Sequence, residues 1–215
     1  MINEERLVTY INSLDRGNSA LLDAIEEEAL RDLVPIIRKE TQSLLRTLVE
    51  LKRPERILEA GTAVGFSAIL MAENGRRDSR IVTIENYDKR IPVARANIER
   101  AGLTDRIELV EGDAVEIMSG LAPAFDMIFI DSAKAQYINM LPDAIRLLSP
   151  GGLLVTDNVL QDGDVIESRY AVTRRNRTIH ARMRDYLYEL THRDELETSV
   201  LPVGDGITIS VKKEV

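Results

Sequence analysis

The spacing of apolar residues changes at Pro54 and divides the chain. Before it, Leu7, Tyr10, Ile11 and Leu14 recur at helical intervals, with Asn3 placed to cap their helix. Gly17-Asn18-Ser19 breaks that run and offers a new N-cap. A second helix is predicted through Leu21, Leu22, Ile25 and Leu30. A third follows Pro35, with Ile37, Leu44, Leu45, Leu48 and Leu51 on one side, and Pro54 ends it. Beyond Pro54, short apolar runs alternate with helical ones. Arg56–Ala60, Arg80–Glu85, Arg106–Val110, Phe125–Ile130 and Gly151–Thr156 read as strands, and Phe66–Glu73, Tyr87–Ala101, Ala114–Gly120 and Tyr137–Leu148 as helices. The alternation implies a parallel sheet with helices on both faces. Unbroken runs such as Met127-Ile128-Phe129-Ile130 fit strands buried on both sides. Near the end, Glu197–Pro202 and Ile207–Val211 flank Gly204-Asp205-Gly206 and read as an antiparallel pair. The expected fold is a single α/β domain over 1–215. Residues 1–54 form a helical N-terminal extension on a core of 55–215, and no repeat or linker marks a second domain.

Ligands of open α/β sheets bind at the carboxyl ends of the strands, so the residues just after each strand carry the candidate chemistry. The first strand turns into a helix through Gly61-Thr62-Ala63-Val64-Gly65, where glycine permits close approach to a ligand. The second ends in Glu85, placed to hold a ribose diol, and the third is followed by Glu111-Gly112-Asp113-Ala114. Taken singly, Asp113 reads as a helix cap; the series favours an adenosine-type ligand. A pyrophosphate avoids carboxylates, whereas Glu59, just before Gly61, suits a cationic amino group or a sulfonium. That favours S-adenosylmethionine over NAD. The fourth strand delivers Asp131 and, three residues on, Lys134; the fifth delivers Asp157-Asn158. Asp131, Asp157 and Asn158 form a hard-oxygen set suited to Mg²⁺. Lys134 is a candidate catalytic base beside it. His180 and His192 fall away from this edge, as surface or helix-face residues, so zinc is not expected.

Composition narrows the setting. There are no cysteines, which removes disulfides and thiolate metal sites and fits a reducing, cytoplasmic location. No apolar run approaches the roughly 18 residues that cross a bilayer, and the acidic start does not resemble a secretory signal. The net charge of −8 opposes nucleic acid on average, yet Arg169, Arg174, Arg175, Arg177, Arg182 and Arg184 fall in a stretch without an acid. On a helix over Val172–Leu190, Val172, Ile179, Met183, Tyr186, Leu187 and Leu190 share the core face, and the arginines flank it. These six are candidate RNA-phosphate contacts, with a solvated helix or a subunit interface as the alternative. Base stacking would fall to Tyr137, Tyr170 or an arginine plane.

Leu58-Glu59-Ala60-Gly61-Thr62-Ala63-Val64-Gly65-Phe66-Ser67, Asp131-Ser132-Ala133-Lys134 and Asp157-Asn158-Val159-Leu160 resemble the cation-dependent O-methyltransferases of the catechol and caffeoyl-CoA type. Val34-Pro35-Ile36, the arginine-rich helix and Pro202-Val203-Gly204-Asp205-Gly206 add a likeness to the members that methylate 5-hydroxyuridine in bacterial tRNA. The resemblance implies a Rossmann-like class I methyltransferase fold, S-adenosylmethionine, Mg²⁺, a homodimer and the 5-hydroxyl of an anticodon-loop uridine as acceptor, with a catechol-like phenol as the alternative. It also implies that Ile37, Gly61, Ser67, Glu85, Asp113, Ala114 and Asp131 line the cofactor, and that Asp131, Asp157 and Asn158 hold the metal. An NAD-dependent oxidoreductase and a non-catalytic cofactor-binding protein are the readings from other classes.

Overall fold

The computed structural model describes residues 4–214; Asn3, the expected first cap, lies outside them. Three helices come first: α1 (Glu5–Ser13), α2 (Ala20–Arg31) and α3 (Lys39–Lys52). Ser19 caps α2 as its sequence predicts, its side chain accepting the Leu22 N–H. The core then runs β1 (Arg56–Ala60), α4 (Phe66–Asn74), β2 (Arg80–Glu85), α5 (Ile91–Arg100), β3 (Ile107–Glu111), α6 (Ala114–Gly120), β4 (Phe125–Ile130), α7 (Tyr137–Leu147), β5 (Leu148–Thr156), α8 (Arg177–His192), β6 (Leu196–Leu201) and β7 (Ile207–Lys212). The seven strands form one sheet in the order β3-β2-β1-β4-β5-β7-β6. β1 to β5 are parallel to their neighbours, and β7 is antiparallel to both β5 and β6.

Alternation along each strand splits the core into two layers. Ile57, Ile81, Met127, Phe129 and Val155 face α2, α3 and α4, whereas Leu58, Ile84, Ile128, Ile130 and Leu154 face α7 and α8. The N-terminal extension is therefore part of the first layer: Leu22, Ile25, Leu45 and Val49 are buried in it. Its apolar pattern is not wholly inward. Leu30 and Leu51 are exposed, and Ala29 and Val49 take the buried places instead. Leu7, Tyr10, Ile11 and Leu14 of α1 are exposed as well. Among the described residues, no helix is long and apolar enough to cross a membrane.

Three expectations need correction. α5 starts at Ile91 rather than Tyr87, because residues 86–90 loop so that the Asn86 and Tyr87 amides can donate to Glu85. α8 starts at Arg177 rather than Val172. Residues 168–176 instead make turns, with the Ser168 hydroxyl accepting the Tyr170 N–H and the Ser168 carbonyl accepting from Ala171 and Val172. Val172 is still buried, as a plug from that irregular segment. Third, His180 is buried on α8 with Nε2 3.1 Å from the Glu167 carbonyl oxygen; only His192 is exposed, stacked on Tyr188.

At the sheet's carboxyl edge, Gly61 carries the backbone at φ +102°, and a Cβ there would lie 2.0 Å from the Asp131 carbonyl oxygen. The β1 turn and the end of β4 can lie this close only because the side chain is absent. Gly61→Ala should cost more than about 2 kcal/mol in urea unfolding, through both the clash and the left-handed φ; a loss below about 0.5 kcal/mol would contradict the close approach.

Candidate active site

The carboxyl edge opens into one cavity of about 620 Å³, within the range of small-ligand sites. Ile37, Gly61, Ser67, Glu85, Asp113, Ala114, Asp131, Lys134, Asp157 and Asn158 all line it. They come from the segment before α3 and from the ends of all five parallel strands, so the topology gathers what the sequence spreads over 122 positions. Glu85 accepts the N–H groups of Ala63, Asn86 and Tyr87 at 2.7, 3.0 and 2.9 Å. These bonds set the floor of the first turn and fix the orientation of the carboxylate. Asp113 is indeed a cap, accepting from Val115 and Glu116 at the start of α6, while still facing the cavity.

Glu59 does not line the cavity. It is fully buried beneath it, with Oε2 2.5 Å from the Thr83 hydroxyl, which in turn meets the Thr62 hydroxyl at 2.6 Å. An ionised carboxylate only accepts hydrogen bonds, so when Glu59 is charged Thr83 donates to it and Thr62 donates to Thr83. Oε1 has no hydrogen-bond partner. The Ser67 hydroxyl is near enough to favour the anion without meeting Oε1 in hydrogen-bond geometry. Burial pushes Glu59 up to about 7 against the pull of these hydroxyls. A buried, half-satisfied carboxylate under a cavity floor favours a positively charged guest above it. A bare glycine turn and a buried acid close by therefore fit a methyl donor bearing an ammonium and a sulfonium.

The metal candidates meet at the neighbouring ends of β4 and β5. The Asn158 side-chain amide donates to Asp131 Oδ1 at 2.8 Å, and Asp157 Oδ1 accepts the Asn158 N–H at 2.7 Å. Asn158 sits at φ +61°, a conformation asparagine tolerates better than most residues. Burial raises the pKa of both carboxyls; Asp157 reaches about 7, with the Asp131 and Asp205 charges adding to the rise. Two buried carboxyls, beside a side-chain amide whose oxygen could serve as a further donor and no histidine, suit a hard divalent cation. Among the described residues no three His, Cys, Asp or Glu side chains converge on one point, so the third protein donor would have to be Asn158. Two cationic side chains, Lys134 and Arg90, bear on Asp131, and both line the cavity. Lys134 sits in a short 3-10 turn (Lys134–Gln136), with Nζ 3.4 Å from Asp205 Oδ2.

Other expected residues lie elsewhere. Tyr137 is fully buried, its hydroxyl 3.2 Å from the Asp157 carbonyl oxygen, so it cannot stack on a base; it supports the metal strand from below. Tyr170 is 85% exposed. Arg177, Arg182 and Arg184 donate to the carbonyl oxygens of Val172, Ala135 and Val165, whereas Arg169, Arg174 and Arg175 are exposed. None of the six makes an ion pair among the described residues. Two participants escaped the sequence reading, Asp205 and Arg38. Asp205 was legible in principle: because β7 runs antiparallel to β5, the turn before it must return to the edge where Asp157 stands.

The raised carboxyls make stability depend on pH. Unfolded aspartate titrates near 4, so in chelator the favourable contribution of Asp157 is complete below about pH 4 and is lost as pH rises through about 7. Glu59 acts in the same direction over a similar window. Melting temperatures between about pH 5 and pH 8 should fall with pH, and fall less in Asp157→Asn. Millimolar Mg²⁺ should restore the loss at the upper end and do little at the lower. A flat profile with no cation response would contradict the burial of these charges.

Comparison with known proteins agrees with this geometry. A family model described as O-methyltransferase matches residues 12–213. A catechol O-methyltransferase of Niastella koreensis is 42% identical over 127 residues, 57% of this chain and 58% of that protein. One from Mycobacterium tuberculosis is 41% identical over 112 residues, covering 52% and 51%. The chain thus spans little more than half the length of these two relatives. Caffeoyl-CoA O-methyltransferase 1 of Eucalyptus globulus is 30% identical over 207 residues, 86% of this chain and 81% of that protein. Among solved structures, a Bacillus cereus O-methyltransferase in complex with SAH has 26% identity and a TM-score of 0.85 over 97% of both chains. TomG of Streptomyces achromogenes, in complex with SAM, has 27% identity and a TM-score of 0.85 over 100% of both. The family match runs through nearly the whole sheet and its helices, and on it this chain belongs to the O-methyltransferase family.

Proposed function

We propose that the protein transfers a methyl group from S-adenosylmethionine to an acidic hydroxyl, with a divalent cation held by Asp131, Asp157 and Asn158. The observation that carries this reading is the meeting of those three side chains with Lys134 in the cavity that Gly61, Glu85 and Asp113 also line. The bound donor supplies an electrophilic methyl whose bond to sulfur breaks as its bond to the acceptor oxygen forms. When bound, the cation would supply Lewis-acid chemistry that lowers the acceptor hydroxyl's pKa. The chain's own groups do the rest. Lys134 takes the hydroxyl proton or steadies the oxygen anion. Glu85 and Asp113 orient the nucleoside, Glu59 offsets the donor's positive charge from below, and Ile37 with the α4 turn excludes water. Holding both reactants in line supplies much of the rate.

For the acceptor we propose the 5-hydroxyl of 5-hydroxyuridine in a tRNA anticodon loop, in the cytoplasm. Support comes from six arginines without ion-pair partners, one of which, Arg182, bonds to the Ala135 carbonyl beside Lys134. A phosphate-tracking surface would thus border the catalytic loop. The stacking role falls to exposed Tyr170. A catechol-like phenol is the second reading, favoured by the 42% identical relative; a vicinal oxygen pair would chelate the cation in either acceptor. The same resemblance includes a homodimer, and the exposed stripe of Leu7, Tyr10, Ile11 and Leu14 is the surface we assign to it.

Labelled donor, offered with tRNA and with catechol, separates the readings. Asp157→Ala should lower turnover more than about 100-fold while donor binding stays within a few-fold, and chelator should do the same; full turnover in excess chelator would refute the cation. Replacing Arg174 and Arg175 together by alanine should raise KM for tRNA and reduce the slope of log affinity against log salt by about 2, with catechol methylation unchanged. An unchanged slope would remove these arginines from the acceptor surface.

A further inference from the structure

Asp205 lies in the β6–β7 turn, is 5% exposed, and has a separate task for each oxygen. Oδ1 accepts the Asp162 N–H, and Oδ2 faces Lys134 Nζ at 3.4 Å. The backbone of the same turn grips the segment that follows the metal candidates. Val159 N–H donates to the Gly206 carbonyl and Leu160 N–H to the Asp205 carbonyl, both at 3.0 Å. The fit is tight: a Cβ on Gly206 would fall 2.3 Å from the Leu160 side chain. Arg38 closes the arrangement from the N-terminal side, donating to Asp162 Oδ1 at 2.9 Å and to the Gly204 carbonyl at 3.4 Å.

The gripped segment needs holding. Asn158, Gln161 and Asp162 all take positive φ, at 61°, 52° and 52°. Non-glycine residues in this region are strained and persist only where the surroundings over-determine them. Lys134 has a related problem: its flexible stem samples many rotamers unless held, and its side chain is one-third exposed. A single buried carboxylate addresses both.

We propose that Asp205 is a positioning residue for methyl transfer. It anchors the Lys134 ammonium beside the carboxylates of Asp131 and Asp157, and it braces the left-handed turn at Asp162 on which the placement of Asn158 depends. This inference rests on the reading of Lys134 as the group beside the reacting oxygen. Asp205 acts through Lys134 and the loop, and touches neither donor nor acceptor.

The test compares D205N, D205A, K134M and the K134M/D205N double variant in labelled methyl transfer, with whichever of tRNA or catechol the wild type methylates faster. Hydrogen exchange across 160–163 is followed in parallel. Asparagine keeps an oxygen for the Asp162 N–H but loses the charge facing Lys134. D205N should therefore keep slow exchange while kcat falls about 10-fold or more and KM for the donor stays within about threefold. D205A should lose both the rate and the protection. The double variant should be no slower than K134M, because Asp205 then has nothing left to anchor. Losses that multiply in the double variant, a D205N enzyme at wild-type rate, or D205N losing rate only together with protection would each overturn the proposal. K134M at wild-type rate would defeat the role given to Lys134, and this inference with it. A slow K134M beside an unaffected D205N would defeat this inference alone.

Discussion

Two carboxylates, Asp131 and Asp157, are drawn out of water at the ends of adjacent strands, where burial raises the cost of ionising both and the Asp131 charge adds to the cost for Asp157. Much of the surrounding structure follows from having to hold them there. The β1 turn must be glycine to let the backbone of Asp131 come so near. Tyr137 is buried to support Asp157 from beneath, and Asn158 accepts a left-handed backbone to set its amide against Asp131. Lys134, one of the cationic side chains there, is itself tethered to a third buried carboxylate at Asp205. In the proposed reading, positive charge arrives at this edge from outside: a divalent ion beside Asp131 and Asp157, and a cationic methyl donor in the cavity near Glu59.

Under the proposed mechanism, catechol and a modified uridine would be served by the same edge, because each offers a hydroxyl with a second oxygen placed to share the cation. What distinguishes acceptors must therefore lie at the rim. Here the contact from Arg182 of α8 to the Ala135 carbonyl brings the arginine-rich segment up to the loop of Lys134.

Much of this was legible in the sequence because it depends on local rules. Buried parallel strands need unbroken apolar runs, so β1, β2 and β4 fell at their expected bounds. Acids just past those runs had to arrive at a common edge, which found Glu85, Asp113, Asp131 and Asp157 without coordinates. The failures came where tertiary contact decides. Leu30 and Leu51 match a helical stripe yet face solvent, since periodicity cannot say which neighbour covers a helix. Tyr137 and His180 looked like surface candidates but are buried by packing between α7, α8 and the sheet. Glu59 reads as a ligand contact and turns out to lie one layer below, acting through charge and hydroxyls. Asp205 was hidden because its partners, Lys134 and Asp162, lie 71 and 43 residues away.

The most direct measurement is a crystal structure with S-adenosylhomocysteine and Mn²⁺, read by anomalous scattering. The account predicts one strong peak within about 2.0–2.3 Å of oxygens from Asp131, Asp157 and Asn158, on the side of the cavity nearer Lys134. A cofactor bound in the cavity with no peak at these oxygens, or with the ion held by other residues, would contradict it.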